Sequence, residues 1–149
     1  MALLHATCVS IGGDGVLIRG PSGRGKSDLA LRLIDDGANL VADDYVNVRA
    51  SAGNLLASPP SETRGLMEIR GLGLVALDAV SDVTVRLVTD LKDRTSIPRI
   101  PDNTRTAIEG IDLRWIEVDP EAASAPARIR AALRYPLATD RPVPSTTSA

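Results

Sequence analysis

Residues 17–37 read LIRGPSGRGKSDLALRLIDDG: an apolar run, a glycine-rich turn closing on a lysine and a serine, then a helical pattern. Lys26 is one of two lysines in a chain with fifteen arginines, so a lysine here demands a reason. The eight residues Gly20, Pro21, Ser22, Gly23, Arg24, Gly25, Lys26 and Ser27 satisfy the spacing Gly, four residues, Gly, Lys, Ser/Thr of a phosphate-binding loop. The glycines accept backbone angles that turn successive N–H groups inward around phosphate oxygens. The helix that begins there adds its positive end. An ammonium is a compact charge able to follow phosphate oxygens, whereas the planar fork of an arginine fits differently. Ser27 offers a hydroxyl to Mg²⁺.

The flanks support that reading. Val16, Leu17 and Ile18 are consecutive and apolar, the mark of a strand buried on both faces. Leu29, Ala30, Leu33 and Ile34 recur at helical spacing, opposite Asp28, Arg32 and Asp35, and Gly37 is a stop signal. Upstream, apolar residues from Cys8 alternate with Gly12, Gly13 and Gly15, which predicts a hairpin into the VLI strand. Downstream, NLVADDYVNVRA predicts a strand interrupted by two aspartates. SAGNLLASPPSETRG predicts a short strand and a loop. LVALD, VTVRLVTDL and LRWIEVDP are further strand candidates, SIPRIPDNTR is a loop, and residues 125–134 form an arginine-rich helix. The tail 139–149, TDRPVPSTTSA, has a disordered composition. These signals describe one α/β domain over 1–138.

Composition narrows the function. The chain has 149 residues, enough for one core, and with 2% aromatics and no Phe that core is aliphatic. A net charge of -2 and three scattered aromatics offer neither a basic face nor a stacking platform, which argues against nucleic acid. A lone Cys8 fits a reducing cytosol, and no apolar run reaches the roughly 20 residues of a membrane helix. The expected location is cytoplasmic.

Asp43 and Asp44 follow the apolar run LVA and so fall near a strand end, where carboxylates can hold Mg²⁺ or orient a nucleophile. The plainer alternative is a pair of solvated turn aspartates. Glu68 and Arg70 lie two apart, on one face if this segment is a strand, and read most simply as a surface ion pair.

In four features the chain resembles the catalytic domain of HPr kinase/phosphorylase: His5, twenty-one residues before Lys26; the loop GPSGRGKS; LVADD ending at Asp44; and MEIRGLG, residues 67–73. The likeness is close from Leu4 to Asp78 and looser beyond. It implies a phosphate-loop kinase fold with a mainly β central sheet and flanking helices, ATP and Mg²⁺ as cofactors, and a serine of an HPr-type phosphocarrier protein as phosphoryl acceptor. It further implies that Lys26 and Ser27 bind phosphates and Mg²⁺, that Asp44 is the general base, and that Asp43 and Glu68 serve the metal. His5 would sit near the transferred phosphate, and Glu68, Arg70 and Gly71 would form the signature segment at the site. Arg99 in PRIP best matches a further catalytic arginine, with Arg94 competing for that place. The family suggests a homo-oligomer, a hexameric ring. The chain begins four residues before His5, like the short form without an N-terminal domain. VDPEAAS, residues 118–124, stands where the family carries a segment linked to phosphate removal, so kinase activity is expected without efficient phosphorolysis. The competing readings are a nucleotide-sensing regulatory module, which would tolerate loss of Asp44, and a small-molecule kinase.

Overall fold

The chain builds strands wherever its aliphatic runs are short and bounded by turn residues, and helices at the two places where the apolar period changes to 3.6. In the structure, a computed structural model that describes residues 1–138, the order is β1 (Ala2–His5), β2 (Thr7–Ile11), β3 (Asp14–Arg19), α1 (Lys26–Asp35), β4 (Asn39–Ala42), β5 (Tyr45–Ser51), β6 (Asn54–Ser58), β7 (Leu66–Ile69), β8 (Gly73–Ala76), β9 (Val83–Leu91), β10 (Arg105–Ile108), β11 (Ile111–Val118) and α2 (Ala125–Arg134). The tail expectation for 139–149 lies outside the described residues.

Nine strands form one curled sheet in the order β1-β5-β6-β9-β3-β2-β4, with β11 also on β9 and β10 outside it. The hairpin β2–β3 turns at Gly12–Gly13 as the glycines require. β3 and β9 run parallel, as do β9 and β11, while β2 is antiparallel to both β3 and β4. β3 and β4 therefore end at the same edge, and the residues that follow them share one corner of the molecule. Gly15 is needed where β3 meets β9, because a Cβ there would stand 2.9 Å from the Thr84 carbonyl oxygen.

Two aliphatic cores result. Val16 and Ile18 face α1 and α2 together with Leu29, Leu33 and Ile129. Leu17 faces the other half of the curled sheet with Val46, Val48 and Leu55. The VLI strand is thus buried on both sides, and each fully buried Leu or Ile contributes roughly 1.5–3 kcal/mol.

Three elements were not visible in the sequence. β1 is short and half exposed; β10 is seen only through its pairing with β11; and β7 pairs only with the expected LVALD strand, β8, in a two-stranded hairpin apart from the main sheet. In each case pairing, not local pattern, makes the strand.

Cys8 is fully buried in the second core, and burial pushes its thiol up to about 12 from its ordinary 9.0. The folded chain holds this proton more tightly than the unfolded one, so the associated stability is complete below about pH 9 and declines as pH rises toward 12. Urea unfolding of wild type against Cys8→Ala should show wild type losing on the order of 1 kcal/mol per pH unit above about pH 9 relative to the variant. Equal pH profiles would place the thiol in contact with water. At pH 8 the native thiol should resist alkylation and react only after unfolding.

Candidate active site

Leaving β3 at Arg19, the chain turns through 20–25 and enters α1 at Lys26. Gly25 caps the helix at φ 100°, a left-handed angle open to glycine, and no side chain caps α1. The first-turn N–H groups of α1 therefore point into the cavity in front of them. Lys26 is only 7% exposed, and its ammonium donates to the carbonyls of Gly20 at 2.6 Å and Pro21 at 3.2 Å. A buried cation resting on loop carbonyls beside an uncapped helix start forms a cradle for an anion.

At the end of β4, Asp43 gathers the polar groups around it. Its Oδ1 accepts from Ser27 Oγ at 2.7 Å and from Thr7 Oγ1 at 3.0 Å, and its Oδ2 accepts from the Glu68 N–H at 3.3 Å. Thr7 Oγ1 also accepts from the Asp44 N–H at 3.3 Å, so one hydroxyl ties both aspartates to β2.

Asp44 is held differently. The Tyr45 N–H donates to the Asp43 carbonyl at 2.7 Å, closing a three-residue turn with Asp44 at its apex and φ at 68°. Aspartate tolerates this angle better than most residues, at a strain of order 1 kcal/mol. The turn swings the Asp44 carboxylate away from Ser27 and outward, where it is 64% exposed and accepts from His5 Nε2 at 3.1 Å. The His5 ring lies 5.1 Å from the Tyr45 ring, its partner across the β1–β5 pair. Adjacent in sequence, the two aspartates thus have separate surroundings: one bound to the loop serine, the other to a histidine.

A cavity of about 570 Å³ opens between the loop and the β7–β8 hairpin, lined among others by Lys26, Ser27, Asp43, Asp44, Glu68 and Arg70. Met67 is fully buried and anchors the hairpin, so Glu68 and Arg70 project toward this space. Arg70 lies one residue past β7, in the turn, and among the described residues Glu68 and Arg70 form no ion pair, contrary to the simple surface-pair reading. Arg99 is not in this cavity. The proline-bracketed loop carries it along β11, where it lines a second cavity of about 380 Å³ with Ile97, Ile116 and Tyr135. Arg94 is also exposed, and its backbone N–H is bound to Asp119. Thr7 went unnoticed in the sequence, since a threonine in a strand carries no signal of its own.

The donor set suits a Mg-nucleotide. Among the described residues no three His, Cys, Asp or Glu side chains converge as a metal cage. Mg²⁺ needs no such cage, because it takes one or two protein oxygens and completes its shell with phosphates and water. Ser27 Oγ and Asp43 Oδ1 are hard oxygens 2.7 Å apart, directly beside the cradle.

A strand, a glycine loop with a buried lysine, and a helix start facing a carboxylate-bearing strand end define a phosphate-loop α/β domain of the kinase type. The HPr Serine kinase C-terminal domain matches residues 1–119, and the chain belongs to that family. The HPr kinase/phosphorylase of Clostridium beijerinckii is 36% identical over 126 residues, covering 77% of this chain and 42% of the relative. That of Clostridium botulinum is 47% identical over 72 residues, covering 48% and 24%. The chain thus spans less than half the length of these curated relatives. The solved structure of the Hpr(Ser) kinase/phosphatase from Coxiella burnetii superposes with a TM-score of 0.78 at 30% identity, covering 90% of this chain and 95% of that one. Among the described residues no helix is long and apolar enough to cross a membrane.

Proposed function

We propose that the chain transfers the γ-phosphoryl group of ATP to a serine of an HPr-type phosphocarrier protein, in the cytoplasm and as part of a homo-oligomer. The observation that carries this reading is the division of labour between neighbouring aspartates, Asp43 on Ser27 and Asp44 on His5, at the mouth of the phosphate cradle. A bound Mg-nucleotide would supply the electrophilic phosphorus and a cation that offsets charge on the phosphates. The loop N–H groups and Lys26 would hold the phosphates, with Lys26 exchanging the carbonyls of Gly20 and Pro21 for phosphate oxygens. Ser27 and Asp43 would hold the metal, and Glu68 would reach it from the hairpin. Asp44, exposed and oriented by His5, would take the proton of the acceptor serine. Arg70 would face the incoming protein from the rim. Arg99 lines the other cavity, so it would act at this site only if the 97–103 loop moved.

The direct test is incubation with ATP, Mg²⁺ and a panel of phosphocarrier proteins, read by intact mass. A gain of one phosphate on a serine supports the proposal; phosphorylation of a small molecule alone, or nucleotide binding without turnover, overturns it. Replacing Ser27 or Glu68 by Ala should raise the Mg²⁺ concentration for half-maximal rate, Ser27 the more, because its hydroxyl already sits on Asp43. A Glu68→Ala chain with an unchanged Mg²⁺ titration would remove Glu68 from the metal.

A further inference from the structure

The turn after β11 backs the phosphate loop. A Cβ built on Gly25 would stand 3.2 Å from Pro120 Cβ, so the proline ring already lies against the glycine backbone. The turn is held from both sides. From α1, the Arg32 guanidinium donates to the Pro120 carbonyl and, at 3.3 Å, to the Ala122 carbonyl. From the β9 side, Asp119 accepts the Arg94 N–H at 3.1 Å and the Lys92 N–H donates to the Val118 carbonyl at 3.1 Å, while within the turn Asp119 accepts the Glu121 N–H at 2.9 Å. A closed circuit results: Gly25 begins α1, α1 carries Arg32, Arg32 grips the turn, and the turn presses Pro120 on Gly25.

Glycine buys the loop its left-handed cap at φ 100° but does not enforce it, because glycine reaches many other conformations. An anion cradle binds tightly only if its N–H groups converge before the ligand arrives. We propose that Arg32 and Pro120 are positioning residues that preset the phosphate loop by confining Gly25 from behind. They touch no phosphate: Pro120 acts through Gly25, and Arg32 through the turn, while also pairing at 3.2 Å with Asp28 at the cavity. The inference rests on the nucleotide-binding reading above and adds to it a role for the 119–122 turn.

The test measures MgATP affinity by calorimetry beside thermal stability, on the whole chain. Arg32→Ala should weaken MgATP binding about tenfold, the scale of one charge-assisted hydrogen bond, and Arg32→Lys, able to reach one carbonyl, should recover part of it. Pro120→Gly should weaken binding in the same direction without touching Arg32. Arg130→Ala is the control, since it breaks only the 3.1 Å tie from α2 to Asp36 on the far end of α1. It should lower Tm by at most about 2–4 °C, because the pair is exposed, with MgATP affinity unchanged. Affinity that simply follows Tm across all four variants, or that stays at the wild-type value in folded Arg32→Ala and Pro120→Gly chains, overturns the inference while leaving the kinase reading standing. A wild-type chain that binds no MgATP overturns both.

Discussion

Lys26→Ala should transfer no measurable phosphate, and Lys26→Arg should fail nearly as badly; that pair of results is the largest effect expected of any substitution. The alanine variant loses a buried charge from the cradle, where low water content makes each interaction with phosphate strong. The arginine variant keeps the charge and should still fail. The ammonium packs between the Gly20 and Pro21 carbonyls at 2.6 and 3.2 Å, in a space 7% exposed that a planar five-donor fork cannot enter without opening the loop. Single-turnover transfer of labelled phosphate, with MgATP affinity measured alongside, checks both. Full activity in Lys26→Arg would mean that charge alone matters, and that the scarcity of lysine elsewhere says nothing about position 26.

The second large effect separates the two aspartates. A serine hydroxyl becomes a competent nucleophile when a placed acceptor takes its proton, a contribution of roughly 10²–10⁴-fold. Asp44→Asn should cut the transfer rate by about that factor and leave MgATP affinity close to wild type, because Asp44 is hydrogen-bonded to His5 and Thr7 and not to Ser27 or the loop. Asp43→Asn should instead impair metal use, since its Oδ1 is the acceptor for both Ser27 and Thr7. Stability supplies an independent check: if the φ of 68° at Asp44 is kept for the proposed base, Asp44→Gly should be as stable as wild type or more so while being as inactive as Asp44→Asn. An Asp44→Asn chain that phosphorylates at the normal rate would pass the role of base to Asp43. Since the reverse reaction needs a proton donor at the same place, any phosphate removal should fall in parallel, and with VDPEAAS at 118–124 we expect it to be feeble even in wild type.

Much of this was legible in the residues. The hairpin, the doubly buried VLI strand, α1 and α2 follow from patterns no longer than a dozen residues, and the structure has them where the patterns are. β1, β7 and β10 were not legible, because a four-residue strand is made by its partner. At the site, the residue types were readable and their pairings were not. LVADD announces two carboxylates at a strand end, yet nothing in those five letters says that the first turns to Ser27 and the second to His5.

The cradle is local chemistry: glycine angles, a helix start and a lysine lie within eight consecutive residues, so their arrangement follows from the chain's own sequence. The partnerships are not local. His5 meets Asp44 across 39 positions, Thr7 meets Asp43 across 36, and Arg32 meets Pro120 across 88. Such contacts exist because β1 pairs with β5 in a register that sets His5 opposite Tyr45, because β2 lies between β3 and β4, and because β11 returns beside β9. A one-residue slip in any of these pairings would turn each side chain to the opposite face, and only the packing of the two aliphatic cores forbids it.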